Sequence, residues 1–349
     1  MRILIATVQV PFVRGGAEVL ADGLLAALRR HGHEAEIVAV PFKWYPPARI
    51  AEHLLANRLL DLTESCGQAV DLLIGLKFPA YCIPHPWRVP WVLHQHRTAY
   101  DLWETELGDL HRVPEGPAVR EAIRRADNLA LGGCPRVYAI SRNVADRLKR
   151  FNGVAAEPLY PPCIDTEGFG CEDYGDFVLF PSRIGTIKRQ YLAVEAMRHV
   201  RSGLRLVVMG RPDEPEALER LKRIVAAHGL ENRVTFTGPA DEPAKRAALA
   251  RCRGVVFCPV DEDYGYVTLE GFYSSKPVVT CRDSGGALEF VEDGRTGLVA
   301  DPTPESLGAA IDRLGGPPDE ARRLGRNARD KILGMDITWD RVVRELTRA

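Results

Sequence analysis

Short apolar runs alternate with amphipathic segments twice along this chain, and that repeated alternation narrows its fold more than any other feature. Arg2-Ile-Leu-Ile-Ala-Thr-Val8 reads as a buried strand, and residues 17–30 read as a helix with Val19, Leu20, Leu24 and Leu28 on one face. Further strands are expected over 36–40, 71–76, 90–94 and 136–140, with helical or irregular stretches between them. Such short apolar strands suit a parallel sheet covered on both faces. Pro158-Leu-Tyr-Pro-Pro162 interrupts the pattern, because this proline cluster can neither continue a helix nor sit in a central strand. The rhythm then restarts, with strands expected over 176–180, 204–209, 233–236, 254–259 and 277–280 and helices over 189–199, 214–228, 242–251 and 267–274. The class is therefore α/β, with one domain over 1–165 and a second over 166–335. A last segment, 336–349, carries Trp339, Val342, Val343 and Leu346 at helical spacing and is expected to pack back on the first domain.

Length agrees with two domains, since 349 residues is about twice the usual domain of about 150. Up to Asp165 the chain has 19 Lys plus Arg against 18 Asp plus Glu, and beyond it 27 against 29. Neither half has the basic excess of a nucleic-acid binder, so no nucleic-acid partner is expected. A local basic face can hide in a neutral total, which leaves peripheral membrane contact open. Residues 1–10 are too short an apolar run for a signal peptide and far too short to span a bilayer, so a cytoplasmic location is expected, with peripheral contact at the inner face of the membrane open for the same reason. Cys66, Cys82, Cys134, Cys163, Cys171, Cys252, Cys258 and Cys281 contain no C-x-x-C pair and are expected as reduced core thiols, largely in apolar strands.

In open α/β sheets ligands sit outside the carboxyl ends of the strands, and the polar signals of this chain fall there. Glu262-Asp-Tyr-Gly-Tyr-Val-Thr-Leu-Glu270 places a carboxylate at a strand end, a glycine turn, and a second carboxylate one turn into a helix. A helix N-terminus opened by glycine offers N–H groups to an anion, so a nucleotide diphosphate fits there with sugar hydroxyls on the glutamates. Ser182-Arg183-Ile-Gly-Thr-Ile-Lys188 puts two cations at another helix start, suited to holding a diphosphate or simply solvated. Gly15-Gly16-Ala-Glu18 follows the first strand; its glycines serve either a turn or close approach of a ligand. His94-Gln-His96-Arg97 places two histidines on one side of an expected strand, but no third ligand stands at recognisable spacing, so no metal is expected. Asp261-Glu-Asp263 also matches a two-aspartate pattern able to hold a divalent cation, a reading its place before a glycine helix start disfavours. Trp44, Tyr45, Tyr100 and Trp103 crowd two first-domain segments, where they either pack or stack on a sugar or lipid.

Gly15 to Glu18, Val89-Pro-Trp-Val-Leu-His-Gln-His96, Ser182 to Lys188, the paired glutamates and Asp283-Ser-Gly285-Gly286-Ala-Leu-Glu289 occur in an order that resembles the retaining glycosyltransferases of family 4. The resemblance spans Gly15 to Gly297. It implies the GT-B fold, two Rossmann-like domains facing each other across a cleft, with the nucleotide-sugar donor on the second and the acceptor on the first. It implies that Arg183 and Lys188 bind the diphosphate and stabilise the leaving group, Glu270 the ribose, and Glu262 the donor sugar. It further implies that backbone at Tyr266 and Val267 meets the phosphates, that Gly15 and Gly16 lie beside phosphate and acceptor, and that His96 contacts the donor sugar near the reacting carbon. Arg97 departs from the family, where Asp often follows that histidine.

The implied activity is transfer of a hexose-type sugar from a nucleotide diphosphate sugar to a hydroxyl of a glycan, glycolipid or small-molecule acceptor. Retention proceeds by front-face displacement without a metal or other cofactor, and bacterial surface-polysaccharide assembly is the kind of pathway such enzymes serve. The contrasting expectation is a catalytically silent sugar-nucleotide-binding partner subunit on the same fold. A dehydrogenase is disfavoured because neither half has G-x-G-x-x-G after its first strand.

Overall fold

Ile3, Ile5, Ala6 and Val8 are each no more than 1% exposed, so the first strand has no solvent face and needs neighbours on both edges and helices on both sides. In the computed structural model, which describes residues 1–348, it has them. Two compact units divide the chain, 1–164 with 337–348, and Asp165–Asp336. Ala349, the last residue of the expected terminal segment, lies outside the described residues.

The first unit runs β1 (Arg2–Gln9), α1 (Gly16–Arg30), β2 (Glu34–Pro41), α2 (Ala48–Arg58), a short antiparallel hairpin of β3 (Glu64–Ser65) and β4 (Gln68–Ala69), then β5 (Leu72–Gly75) and β6 (Arg88–Val92). It continues through α3 (Gly116–Gly132), β7 (Tyr138–Ala139), α4 (Arg142–Asn152) and β8 (Glu157–Pro158). Its main sheet has the order β2-β1-β5-β6-β7-β8, all parallel. Pro158 lies on the edge strand β8, where a missing N–H is tolerated.

Residues of the second unit form β9 (Phe177–Pro181), α5 (Gln190–Ala196), β10 (Arg205–Met209), α6 (Pro215–Ala227), β11 (Val234–Gly238), α7 (Glu242–Arg251) and β12 (Gly254–Val256). There follow α8 (Tyr266–Tyr273), β13 (Val278–Cys281), β14 (Gly297–Ala300), α9 (Pro304–Arg313) and α10 (Asp319–Gly334). This sheet is also wholly parallel, in the order β11-β10-β9-β12-β13-β14. The terminal helix α11 (Trp339–Leu346) returns to the first unit, where the Trp339 indole lies against Gly23 of α1; any side chain at that glycine would collide with the ring.

Three expectations need correction. The strand expected over 90–94 is Arg88–Val92: it pairs with β5 from Arg88 onward, and the chain then bends into a turn at Arg97–Ala99, so His94 and His96 lie beyond the strand and do not share a strand face. Of the cysteines only Cys281 sits inside a strand; Cys82, Cys163, Cys252 and Cys258 are buried in turns and loops, and Cys66 and Cys171 are exposed. The edge strand β14 was not expected, because its four residues follow the polar Glu292-Asp-Gly-Arg-Thr296 without periodic context.

One buried polar cluster ties the 94–100 segment to α3. The Asp127 carboxyl on α3 accepts from the Tyr100 hydroxyl at 2.7 Å and the Tyr81 hydroxyl at 3.0 Å, while Asn152 Nδ2 donates to the Tyr100 oxygen at 3.3 Å. Burial pushes the Asp127 carboxyl up to about 7, against the help of the two phenols. The folded state therefore holds this proton more tightly than the unfolded chain. Its stabilising effect is complete below about pH 4 and fades as pH rises to about 7, a span worth on the order of 4 kcal/mol. Asp127→Asn should flatten the fall of Tm between pH 4 and 7 and melt no lower than wild type at pH 8; an unchanged slope in a pH series of thermal melts would show that the carboxyl does not titrate there.

Candidate functional site

Chain direction across the second sheet reverses between β9 and β12, and the loops leaving those two strands open side by side at that switch point, where doubly wound sheets bind their ligands. Backbone bonds tie them to each other and to the loop after β13. Val260 N donates to Ile187 O at 2.9 Å, Asp261 N to Asp283 O at 2.8 Å, and Gly286 N to Glu262 O at 2.7 Å. A Cβ at Gly286 would stand 2.7 Å from the Asp263 carbonyl, so this close approach requires glycine.

The cation that fastens these loops is Arg189, at the start of α5. Its guanidinium is buried and donates to the Cys258 carbonyl at 2.7 Å, the Pro259 carbonyl at 2.9 Å, and both Asp283 oxygens at 2.8 and 2.6 Å. Burial opposes its charge, and the Asp283 carboxylate outweighs that and holds the guanidinium above its ordinary value. Gln190 braces the same loop, with Nε2 donating to Ser182 Oγ at 2.9 Å and to Arg183 O at 2.8 Å.

On this frame Lys188 Nζ meets Glu262 Oε2 at 2.6 Å and lies 5.6 Å from the centre of the Phe257 ring. Gly265, at φ 88°, turns the chain into α8, so Tyr266 and Val267 form its first turn. A Cβ on Gly265 would stand 2.9 Å from the Phe257 ring, which adds a steric demand for glycine to the conformational one. Glu270 follows further along α8 and is mostly buried. Lys245 of α7 donates to its Oε1 at 2.8 Å and to Glu242 Oε1 at 2.9 Å. Burial raises the Glu270 carboxyl and Lys245 counters it; burial likewise disfavours the Lys245 charge, but Glu270 and Glu242 hold the ammonium above its ordinary value. Arg183 turns to Asp213 at 2.5 Å on a half-exposed surface, and a Cβ at Gly185 would only make the flexible Asp213 carboxylate, 2.6 Å away, swing aside.

In the first unit Gly15 caps α1, its N–H bonded to Glu18 Oε2 at 2.7 Å. Its φ of −150° is open to any residue, and a Cβ would find nothing closer than 3.7 Å. The turn therefore does not explain this glycine. His96 precedes the Arg97–Ala99 turn and packs on Phe78 with ring centres 5.5 Å apart. Burial, with His94 beside it and only Asp109 opposing, pushes its imidazole down to about 4, so it is neutral at physiological pH. Arg97 pairs with Asp101 at 2.6 Å. Aromatic contacts continue from Phe78 to Phe42 at 6.2 Å, Trp44 at 6.5 Å and Tyr45 at 5.3 Å, the last two exposed. No group of three or more His, Cys, Asp or Glu among the described residues is arranged to hold a metal ion.

The structure thus joins Lys188 directly to Glu262, sets Tyr266, Val267 and Glu270 on one short helix, and directs Arg183 to Asp213. Sequence reading missed Arg189, Gln190, Lys245, Asp213 and the role of Asp283. Only the doublet Arg189-Gln190 at the start of an expected helix hinted at any of them, because their partners lie far away in the chain.

Residues 170–331 match the family model described as Glycosyl transferases group 1. Alpha-D-kanosaminyltransferase of Streptomyces kanamyceticus is 31% identical over 252 residues, 68% of this chain and 62% of that protein. Alpha-1,3/1,6-mannosyltransferase ALG2 of Dictyostelium discoideum is 33% identical over 123 residues, 35% of this chain and 29% of that protein, so the chain aligns with less than a third of its length. Among solved structures, sucrose-phosphate synthase from Thermosynechococcus elongatus superposes with a TM-score of 0.76 at 18% identity, covering 99% and 97% of the two chains. HepE of Anabaena, crystallised with UDP and glucose, gives 0.69 at 18% identity over 98% of each chain. The two-domain GT-B fold is shared with these structures.

Arg189→Leu should destabilise the protein by about 3 kcal/mol, since it strands two carbonyls and a carboxylate around a vacated cation site. A Tm within a degree of wild type would show that the loops hold without it.

Proposed function

We infer, from the match of residues 170–331 to the model of glycosyl transferases group 1, that the chain transfers a sugar from a nucleoside-diphosphate donor to an acceptor hydroxyl. The observation that carries this reading is the Lys188–Glu262 pair beside the glycine-opened start of α8, at the switch point of the second sheet. A diphosphate there meets the N–H groups of Tyr266 and Val267 and the Lys188 ammonium, with Arg183 a flexible second cation once it leaves Asp213. Glu270 accepts from the ribose hydroxyls and Glu262 from the donor sugar. His96, neutral, hydrogen-bonds a sugar hydroxyl, and Gly15 and Gly16 admit phosphate and acceptor closely.

The chemistry is front-face displacement with retention. The anomeric C–O bond to the β-phosphate breaks, the acceptor oxygen bonds to that carbon on the same face, and its proton passes to the departing phosphate oxygen. Lys188 and Arg183 stabilise the charge growing on the diphosphate, and no metal or cofactor is required. A hexose donor is favoured by relatives named as mannosyltransferases. The acceptor, a glycan, glycolipid or small molecule, belongs to the first unit, where Trp44 and Tyr45 offer exposed rings for stacking. No helix among the described residues is long and apolar enough to cross a membrane, and contact with a membrane surface is compatible with this reading.

A thermal-shift panel of UDP, GDP, ADP, dTDP and CMP with and without magnesium tests the donor site. Ligand at 100 times its Kd adds about 2.7 kcal/mol, a rise of a few degrees; no shift with any of them would overturn the donor site, and a shift without any sugar transfer would favour the silent sugar-nucleotide-binding subunit. Glu270→Ala should weaken nucleotide binding at least tenfold, whereas Lys188→Ala should lower kcat more than affinity, because its interaction strengthens in the transition state. Proton NMR of the product should show the donor's anomeric configuration, and an inverted linkage would overturn front-face displacement.

A further inference from the structure

Glu270 occupies a position that a carboxylate does not hold unaided. Its side chain is 13% exposed, and a carboxylate withdrawn from water takes up a proton near neutrality unless a cation stands beside it. That cation comes from α7, whose residues leave no strand at the switch point. Lys245 Nζ bridges Glu270 Oε1 at 2.8 Å and Glu242 Oε1 at 2.9 Å, and is itself only 19% exposed. Arg246, also on α7, adds a weaker pull in the same direction, and Glu242 opposes it. From α10, packed against α8, Arg329 donates to the Tyr273 carbonyl. In the loop before α8, Glu262 is paired with Lys188 of the loop after β9.

Protonation changes what Glu270 can recognise. An ionised carboxylate only accepts and can take both hydroxyls of a vicinal diol, whereas the protonated acid spends one oxygen as a donor. We propose that Lys245 is a positioning residue which keeps Glu270 an acceptor-only carboxylate, and so makes donor binding selective for ribonucleotides over 2′-deoxyribonucleotides across neutral pH. The inference rests on the reading of Glu270 as the ribose contact. It adds the residue that enforces this contact and the sugar of the nucleotide that it selects.

Titration calorimetry on the full chain tests it, using UDP, GDP and their 2′-deoxy counterparts at several pH values from 6 to 8.5. Wild type should bind the ribonucleotide about tenfold tighter than its deoxy form, with little pH dependence. Lys245→Met removes the counter-ion and lets the Glu270 carboxyl rise further. Its ribonucleotide affinity should therefore fall about tenfold at pH 6, lose its ribose preference there, and recover as pH rises. Lys245→Gln keeps a hydrogen bond between α7 and α8 without the charge and should behave like Lys245→Met, while Lys245→Arg should restore the wild-type profile. A flat pH profile and intact ribose preference in Lys245→Gln, alongside lost binding in Glu270→Gln, would overturn the role of Lys245 and leave the donor site standing. Wild-type binding in Glu270→Gln would instead remove the ribose assignment itself, and the proposal with it.

Discussion

The second unit's binding surface depends on one buried cation. Arg189 draws the carbonyls that end β12 and the carboxylate that follows β13 onto the loop that follows β9. The geometry has a local cost, since Arg189 takes a left-handed φ of 58°, worth about 1 kcal/mol for a residue with a Cβ. Four hydrogen bonds, two of them to a carboxylate, outweigh it. Because Arg189 adjoins Lys188, the same anchor fixes where the lysine leaves the backbone. Lys188 then meets Glu262 from a loop that backbone bonds at Ile184 and Ile187 and the Gln190 amide also hold.

How much of this was legible in the sequence follows from the range of each interaction. Strands such as β1, β9 and β10 announced themselves as apolar runs bounded by turn residues, and α7 fills its expected bounds, where the structure shows Asp241 capping it and a proline in its first turn. The four-residue β14 carries too little sequence to separate a strand from a loop, and it is a strand only because β13 lies beside it. The histidine pair was misjudged because strand period was extended past the point where the chain bends. Within the site, the glutamates, Lys188 and the glycine turn could be read from a motif. Arg189 with Asp283 and Lys245 with Glu270 could not, since each pair is joined across 94 and 25 residues by packing alone.

The glycines divide along the same line. Gly265 and Gly286 are demanded by the fold itself, one by a positive φ and a neighbouring ring, the other by the backbone it touches. Gly15 answers to neither demand, for its backbone is extended and a side chain would fit. In the proposed function that freedom lets a ligand come closer to the chain at Gly15 than a Cβ would allow.

The two carboxylate–lysine pairs of the second unit differ in what a ligand must do to them. Lys245 and Glu270 join two helices, and a ribose needs only the carboxylate lone pairs that Lys245 leaves open, so the pair survives binding. Lys188 and Glu262 lie on loops, and the proposed donor claims both: the diphosphate takes the ammonium and the sugar takes the carboxylate. On that proposal the intact nucleotide sugar engages both members of the opened pair, the diphosphate compensating the ammonium and the sugar hydroxyls the carboxylate. A free nucleotide reaches only Lys188, so the sheltered pair favours the whole donor over its nucleotide fragment.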